Sequence, residues 1–567
     1  MRNVISLLLA VAGVSAQRTI QWQFVQSNTS GVIPVELITI SPTLMLMYDR
    51  ADGNPLLLPN GETAWAALWN LETNTPTPIS SITDTFCAGG AFISNGTLVS
   101  VAGQPLEDPT RPPADGRMGI RLFGPCTSPT GQGQGCTVFE DPPNIHLAVT
   151  RWYPTGLRIP DGSLMIIGGS NTNTFYNNDT TAESSIEFFP SRPGEAGTVR
   201  LSPFLVAAQP VNLFPRSFVL PSGKIFVVAN NISMIYDIET NTETRLPEIP
   251  NGVRIANPFD GTAQLLPLSP PLYEPTVLVC GGSDADDRRP VTNLTTQDPA
   301  SNQCSRITLT AAGVARGWQV ERMPEQRILM ESVLLPTGDV LLINGAHTGY
   351  SGYPSVGNSN VNGSNSNNPA FRGMLYRTAF PAGQRITQEG IPASNIARMY
   401  HSSAALTPQG NIMVAGSNPH PAVVPPPTAF PTEFRVEYLN PDFITNNLPR
   451  PVIHSAPTQI LFNQKATMTV TVPPSLLLGQ IKVSLMDMGY ITHAQHSNSR
   501  LVFLEHTLVG NKLTITAPPN NNIYPPGPAW IFVVADGVHS EGAMVMVGDG
   551  GNPPRLDQGV KISSTSL

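Results

Sequence analysis

One short pattern returns along the chain and constrains the fold more than any other feature. Each copy is an apolar strand, a tight turn containing Gly, and a second hydrophobic strand that ends near another Gly. The segment from Arg151 reads RWYPTGLRIPDGSLMIIGGS. PRSFVLPSGKIFVVANN from Pro215, RILMESVLLPTGDVLLINGA from Arg327 and RMYHSSAALTPQGNIMVAGSN from Arg398 repeat it. FCAGGAFISNGTLVSVAG from Phe86 is a further copy, and PTVLVCGG, ending at Gly282, carries only the second half. In the turns PDG, PSG, PTG, PQG and SNG, Gly supplies the positive φ that a tight bend needs.

Strand ends fall roughly 50 to 70 residues apart, within reach of a kelch-type period once loops are inserted. With a divergent unit around Val35–Trp69 there are about seven units. The expectation is an all-β chain built as a seven-bladed kelch-type β-propeller. No helical periodicity separates the strands, which disfavours a parallel α/β fold. Composition agrees: 48 Gly and 57 Pro are too turn-rich for a helical protein, and 40% apolar residues are too many for a disordered one. After Gly416 the pattern changes. A Pro-rich stretch leads toward Pro451, and simpler alternating strands such as ATMTVTV and AWIFVVADG follow. The predicted organisation is a propeller over 17–450 and an immunoglobulin-like β-sandwich over 451–567.

The first 16 residues read as a signal peptide: Arg2, the apolar stretch Ile5 to Val14, and a small-residue cleavage site ending at Ala16. The apolar run is too short to span a bilayer. Six sequons, at Asn28, Asn95, Asn178, Asn231, Asn293 and Asn362, agree with a secreted glycoprotein. A net charge of −8 argues against nucleic acid or an anionic membrane as partner. A soluble, extracellular monomer is expected.

There are five cysteines. Cys126 and Cys136 flank a Gly-rich stretch and suit a loop-stapling disulfide, and Cys280 with Cys304 is the next candidate pair, although four cysteines permit three arrangements and the sequence leaves the pairing open. Cys87 is then left over. An odd cysteine in a secreted chain is buried and inert, bonded to another chain, or put to chemical use. Histidine is scarce, with nine in the chain. Tyr400-His401 stands just before a repeat strand, and phenolate and imidazole both suit copper(II). Neighbours in a regular strand face opposite ways, so the pair can share a metal only at a strand end or in a loop. His493 lies in YITHAQH, where it and His496 would face apart in a strand. Tyr153 holds the register of Tyr400 in its own copy, and Cys87 holds a similar place in another. Corresponding positions in a propeller lie at similar height around the axis, so these residues could surround one point.

The segments DTFCAGG, TRWYP, RMYHS and THAQHSNSR, in that order on the repeat, resemble glyoxal oxidase and, more distantly, galactose oxidase. The resemblance runs over nearly the whole mature chain. It implies a thioether between Cys87 and the ring of Tyr153, and one copper ion held by Tyr153, His401 and His493 in plane with Tyr400 axial. It further implies a protein-derived Tyr–Cys radical cofactor and Tyr400 as general base. The implied reaction takes small aldehydes and O2 to acids and H2O2, and the peroxide would supply extracellular peroxidases.

Where galactose-oxidising relatives place a stacking tryptophan after the GG of the Tyr153 repeat, this chain has Ser170-Asn171. Trp65 is the candidate replacement, with core packing as its alternative. Arg327 aligns with a sugar-contacting arginine, but its neighbours differ. Both departures disfavour galactose. Two other functions remain open: a copper-radical oxidase acting mainly on alcohols, and a non-catalytic kelch propeller that binds a glycan or protein.

Overall fold

In the computed structural model each Gly turn falls between the first and second strands of one small sheet. The structure describes residues 19–50, 53–105, 114–126, 131–353, 363–477, 479–562 and 564–567. The segment expected to be a signal peptide and the sequon at Asn362 lie outside them. Seven antiparallel blades follow one another around a ring. Their first strands are Glu36–Thr39, Gly89–Phe92, Thr155–Arg158, Arg216–Val219, Gly261–Leu265, Glu331–Leu334 and Ser402–Leu406, for blades 1 to 7 in order. Every residue of these strands is buried except Leu406, so both faces pack against neighbouring blades.

Blade 5 explains the half copy. Its first strand, GTAQL, has no Gly turn after it, and the connection to Thr276–Gly281 runs through the Pro-rich segment 266–275. Blade 7 takes its outer strand from the start of the described chain: Trp22–Thr29 pairs antiparallel with Arg435–Pro441, closing the ring. Both expected disulfides form, Cys126–Cys136 and Cys280–Cys304. The second joins residues directly opposite on adjacent strands of blade 5.

The C-terminal strands form two sheets. One contains Val452–Ser455, Lys465–Thr471, Lys512–Thr516 and His506–Val509, and the other is built around Gly527–Ala535 and Ile481–Asp487. The sandwich packs directly against the propeller. One apolar core runs from Phe218, Val228 and Ile307 of the propeller to Val483, Ile515 and Ile531 of the sandwich. The YITHAQH segment leaves the sandwich altogether. Its hairpin, Tyr490–Thr492 and Gln495–Ser497, pairs with Glu36–Thr39 and makes a six-stranded sheet with blade 1. This hairpin contacts the first strand of all seven blades and so fills the central channel.

Candidate metal centre

The repeat places a backbone kink just before the inner strands. Cys87 (φ 59°), Tyr153 (61°), Phe214 (48°) and Leu329 (60°) are left-handed, each two residues ahead of the first strand of blade 2, 3, 4 or 6. In blade 7 the left-handed residue is His401 (62°), one position later than the repeat predicts. There the Ser402 amide donates to the Met399 carbonyl at 3.1 Å, so Tyr400 and His401 occupy a turn instead of a strand. Their rings lie 3.7 Å apart, tilted by 33°. The shift removes the difficulty that strand neighbours face apart. His493 (49°) and Ala494 (58°) form the two-residue loop of the channel hairpin. Two successive positive φ values are those of a hairpin turn that normally carries Asn-Gly. Each left-handed residue with a Cβ costs about 1–2 kcal/mol. Such strain gathers at functional sites.

These kinks bring together all five residues singled out in the sequence. Cys87 Sγ is 3.4 Å from His493 Nε2 and 4.0 Å from His401 Nε2. The two Nε2 atoms are 3.1 Å apart. The Tyr153 and Tyr400 phenol oxygens are 2.9 Å apart. The Tyr153 amide donates to the Cys87 carbonyl at 3.3 Å, joining blades 2 and 3 at this level. None of the five exceeds 4% exposure, so water has little access to the donor atoms. His496 is turned away and pairs with Glu331 at 2.5 Å.

The site suits a metal ion on its own geometry. His401 Nδ1 meets the Asn418 carbonyl at 3.1 Å. A carbonyl only accepts, so Nδ1 carries the hydrogen and Nε2 keeps its lone pair facing inward. His493 Nδ1 meets the Thr492 hydroxyl at 2.6 Å, which likewise leaves Nε2 inward. Burial pushes His401 down to about 3 and His493 well below its ordinary value, so both imidazoles are neutral, as ligands must be. Burial pushes Tyr153 and Tyr400 well above the usual phenol range. A divalent cation reverses that preference and favours phenolate. Two neutral imidazoles and two phenol oxygens make an N/O donor set of the kind copper(II) takes.

Four aromatic residues that sequence reasoning missed surround the centre. The Trp152 ring meets Tyr153 edge-on at 4.4 Å, and its indole N–H donates to the Phe86 carbonyl at 3.0 Å. Phe214 meets Tyr153 at 5.0 Å and His493 at 4.7 Å. Phe86 lies edge-on to His401 at 5.1 Å. Tyr353, half-buried, stacks on Phe86 at 6.1 Å, and its hydroxyl is 3.2 Å from His401 Nδ1. Phe214 was recoverable, because LFPR stands in register with WYPT. Tyr353 sits in a Gly/Ser-rich loop that gave no signal. Trp65 is buried, and no ring contact joins it to Tyr153 among the described residues. Arg327 is also buried, and its guanidinium donates to the carbonyls of Asn344 and Arg372. Arg151 and Arg398 do the same at their own blades, donating to the carbonyls of Gly168 and Gly416. Arg327 therefore stands as one of a series of blade clamps.

The family described as "Glyoxal oxidase N-terminus" matches residues 50–443. The chain belongs to the glyoxal oxidase family. In this family member residues 450–547 also match the galactose oxidase-like early set domain. "Aldehyde oxidase GLOX" of Vitis pseudoreticulata is 31% identical over 94% of this chain and 95% of its own length. "Aldehyde oxidase GLOX1" of Arabidopsis thaliana is 28% identical over 85% of this chain and 75% of its own length. Among solved structures, a fungal alcohol oxidase in complex with copper aligns with a TM-score of 0.67, over 94% of this chain and 100% of that one. At 16% identity that likeness establishes the propeller-plus-sandwich fold alone.

Proposed function

We propose that this copper-radical oxidase oxidises small aldehydes, such as glyoxal and methylglyoxal, to carboxylic acids and reduces dioxygen to hydrogen peroxide. The observation that carries the reading is the convergence of Cys87, Tyr153, Tyr400-His401 and His493, from blades 2, 3 and 7 and the channel hairpin, onto one buried point. In this reading His401 and His493 hold copper through Nε2, and Tyr153 and Tyr400 hold it through their phenol oxygens. Oxidising an aldehyde hydrate removes two electrons, and bound copper supplies the capacity for one of them. Tyr153, joined to Cys87 by a thioether, supplies the capacity for the other. Tyr400 receives the proton of the substrate oxygen. Its phenol would be a poor base in water, with an ordinary pKa near about 10. Phe86, Trp152, Phe214 and Tyr353 keep the redox centre dry.

The aldehyde preference rests on the names of the plant relatives, and the copper-complexed structural neighbour acts on alcohols. A substrate panel therefore decides the class. Copper-loaded, oxidant-activated protein is expected to release peroxide from glyoxal and methylglyoxal faster than from primary alcohols. The Cys87→Ser variant should release almost none. Faster turnover of alcohols would overturn the aldehyde assignment, and no turnover of either class would leave a binding propeller.

We further infer that the chain is secreted and glycosylated and that extracellular peroxidases consume its peroxide. The N-terminal apolar segment supports this, as do two disulfides and sequons whose Asn28, Asn178 and Asn293 are exposed. Glycosidase-sensitive mass on protein recovered from the culture medium tests it.

A further inference from the structure

Glu36 lies on the first strand of blade 1, fully buried at 0% exposure, and the proposed reaction makes no use of it. Its Oε1 accepts the Ala88 amide at 2.9 Å. Its Oε2 has no hydrogen-bond partner among the described residues. The Ala88 amide also meets the Thr85 carbonyl at 3.0 Å. The carboxyl thus secures, from the neighbouring blade, the turn Thr85–Ala88 that contains Cys87. That turn holds Cys87 at a φ of 59°, which a residue with a Cβ adopts only when its surroundings enforce it. Glu36 also stands opposite Thr492 in the pairing of blade 1 with the channel hairpin, and the Thr492 hydroxyl is the partner of His493 Nδ1. Glu36 therefore meets the turn that carries Cys87 through its side chain and the hairpin whose turn carries His493 through its backbone. A buried carboxyl with one unmatched oxygen is costly for stability. Burial keeps it in the neutral form, well above the ordinary carboxyl range. Packing alone would be better served by an apolar side chain of the same size.

We propose that Glu36 is the positioning residue for thioether formation: by holding the Ala88 amide it sets Cys87 Sγ against the Tyr153 ring. The inference rests on the copper-radical reading above. In the step concerned, the Cys87 S–H bond and one Tyr153 ring C–H bond break and an S–C bond forms. The two electrons and two protons released pass to dioxygen, which leaves as hydrogen peroxide. Glu36 takes no part in that exchange and acts only through the backbone of the Cys87 turn.

The test compares the copper-free parent with Glu36→Gln and Glu36→Met after addition of a copper salt in air. Thioether formation is followed by intact mass, which falls by two hydrogen atoms, and by mapping of the peptides containing Cys87 and Tyr153. The Gln variant keeps an oxygen for the Ala88 amide and is expected to cross-link at the parent rate. The Met variant fills the space without an acceptor. It should cross-link about tenfold or more slowly, while keeping the parent's copper stoichiometry and melting no lower than the parent. Glu36→Leu is the second apolar replacement if the Met chain does not fold. Cross-linking at the parent rate in the apolar variant would overturn the proposal. So would a Gln variant as slow as Met, because that would assign the effect to the acid proton. A parent that never cross-links would overturn the copper-radical reading itself, a different outcome from either.

Discussion

Tyr400 and His401 show how one backbone angle makes a site. A one-residue displacement of the left-handed position in blade 7 puts two adjacent side chains on the same side of the chain. The two residues were legible in the sequence because RMYHS resembles a glyoxal oxidase motif, not because the pair alone pointed to a metal. Their shared direction was not, because φ is set by the turn and its hydrogen bonds. Tyr400→Phe removes the proton acceptor and keeps the ring. Turnover should fall about 10²- to 10⁴-fold, with copper still bound through the imidazoles, as read by steady-state kinetics and the copper(II) EPR spectrum. His401 gives a pH prediction. Burial lowers it from 6.5 to about 3, so the unfolded chain binds the proton that the folded chain refuses. The parent's metal-free stability should therefore fall relative to His401→Gln as the pH drops from about 6.5 toward about 3. Paired thermal melts across that window check it, and a constant gap would mean that the folded imidazole titrates normally.

At the scale of the element, the blades explain themselves more fully than the channel does. Gly turns mark five of the seven blades; blade 1, without one, reads only as a divergent unit, and in blade 5, also without one, only half of the blade was readable. The buried arginine that begins several copies clamps the carbonyl at the far end of the second strand, as Arg151 and Arg398 do at 2.8 Å. Arg327→Met leaves the buried Asn344 carbonyl without that donor, at a cost of roughly 1–3 kcal/mol, and frees Glu325 of an ion-pair partner. Lower thermal stability with unchanged KM for aldehydes is expected, and a KM change alone would restore the substrate-contact role. The channel hairpin carries His493, the ligand that the resemblance expected from the C-terminal domain, into the centre of the ring. Its seat depends on Gly90, where an added Cβ would come within 2.4 Å of the Val99 carbonyl and 2.6 Å of the Tyr490 ring. Gly90→Val should cost about 1–3 kcal/mol and weaken copper binding by displacing His493. Calorimetric copper titration measures the second effect, which damage confined to blade 2 would not produce.

For the whole molecule, propeller and sandwich act as one body. They share an apolar core. The buried Arg158–Asp487 ion pair joins blade 3 to the sandwich. Arg500 donates to the carbonyl of Val219 in blade 4. The ring is closed by Trp22–Thr29, so the two ends of the propeller are held by the same blade. Scanning calorimetry should show a single unfolding transition that moves upward with copper, because the metal binds only when hairpin and blades are in place. Two transitions, of which only one responds to copper, would contradict the shared core.

The sequence by itself determined the repeat and the all-β class, and its resemblance to glyoxal oxidase singled out the residues that the structure brings together. The repeat and the class follow from local chemistry: Gly where a turn must tighten and apolar runs where strands are buried. Only the tertiary structure decided that strands from the C-terminal region enter the channel, that Trp152 instead of Trp65 reaches Tyr153, and that Glu36 braces the Cys87 turn. Those facts depend on contacts between residues up to hundreds of positions apart, and the periodicity of a single strand carries no record of which distant strand will pack against it.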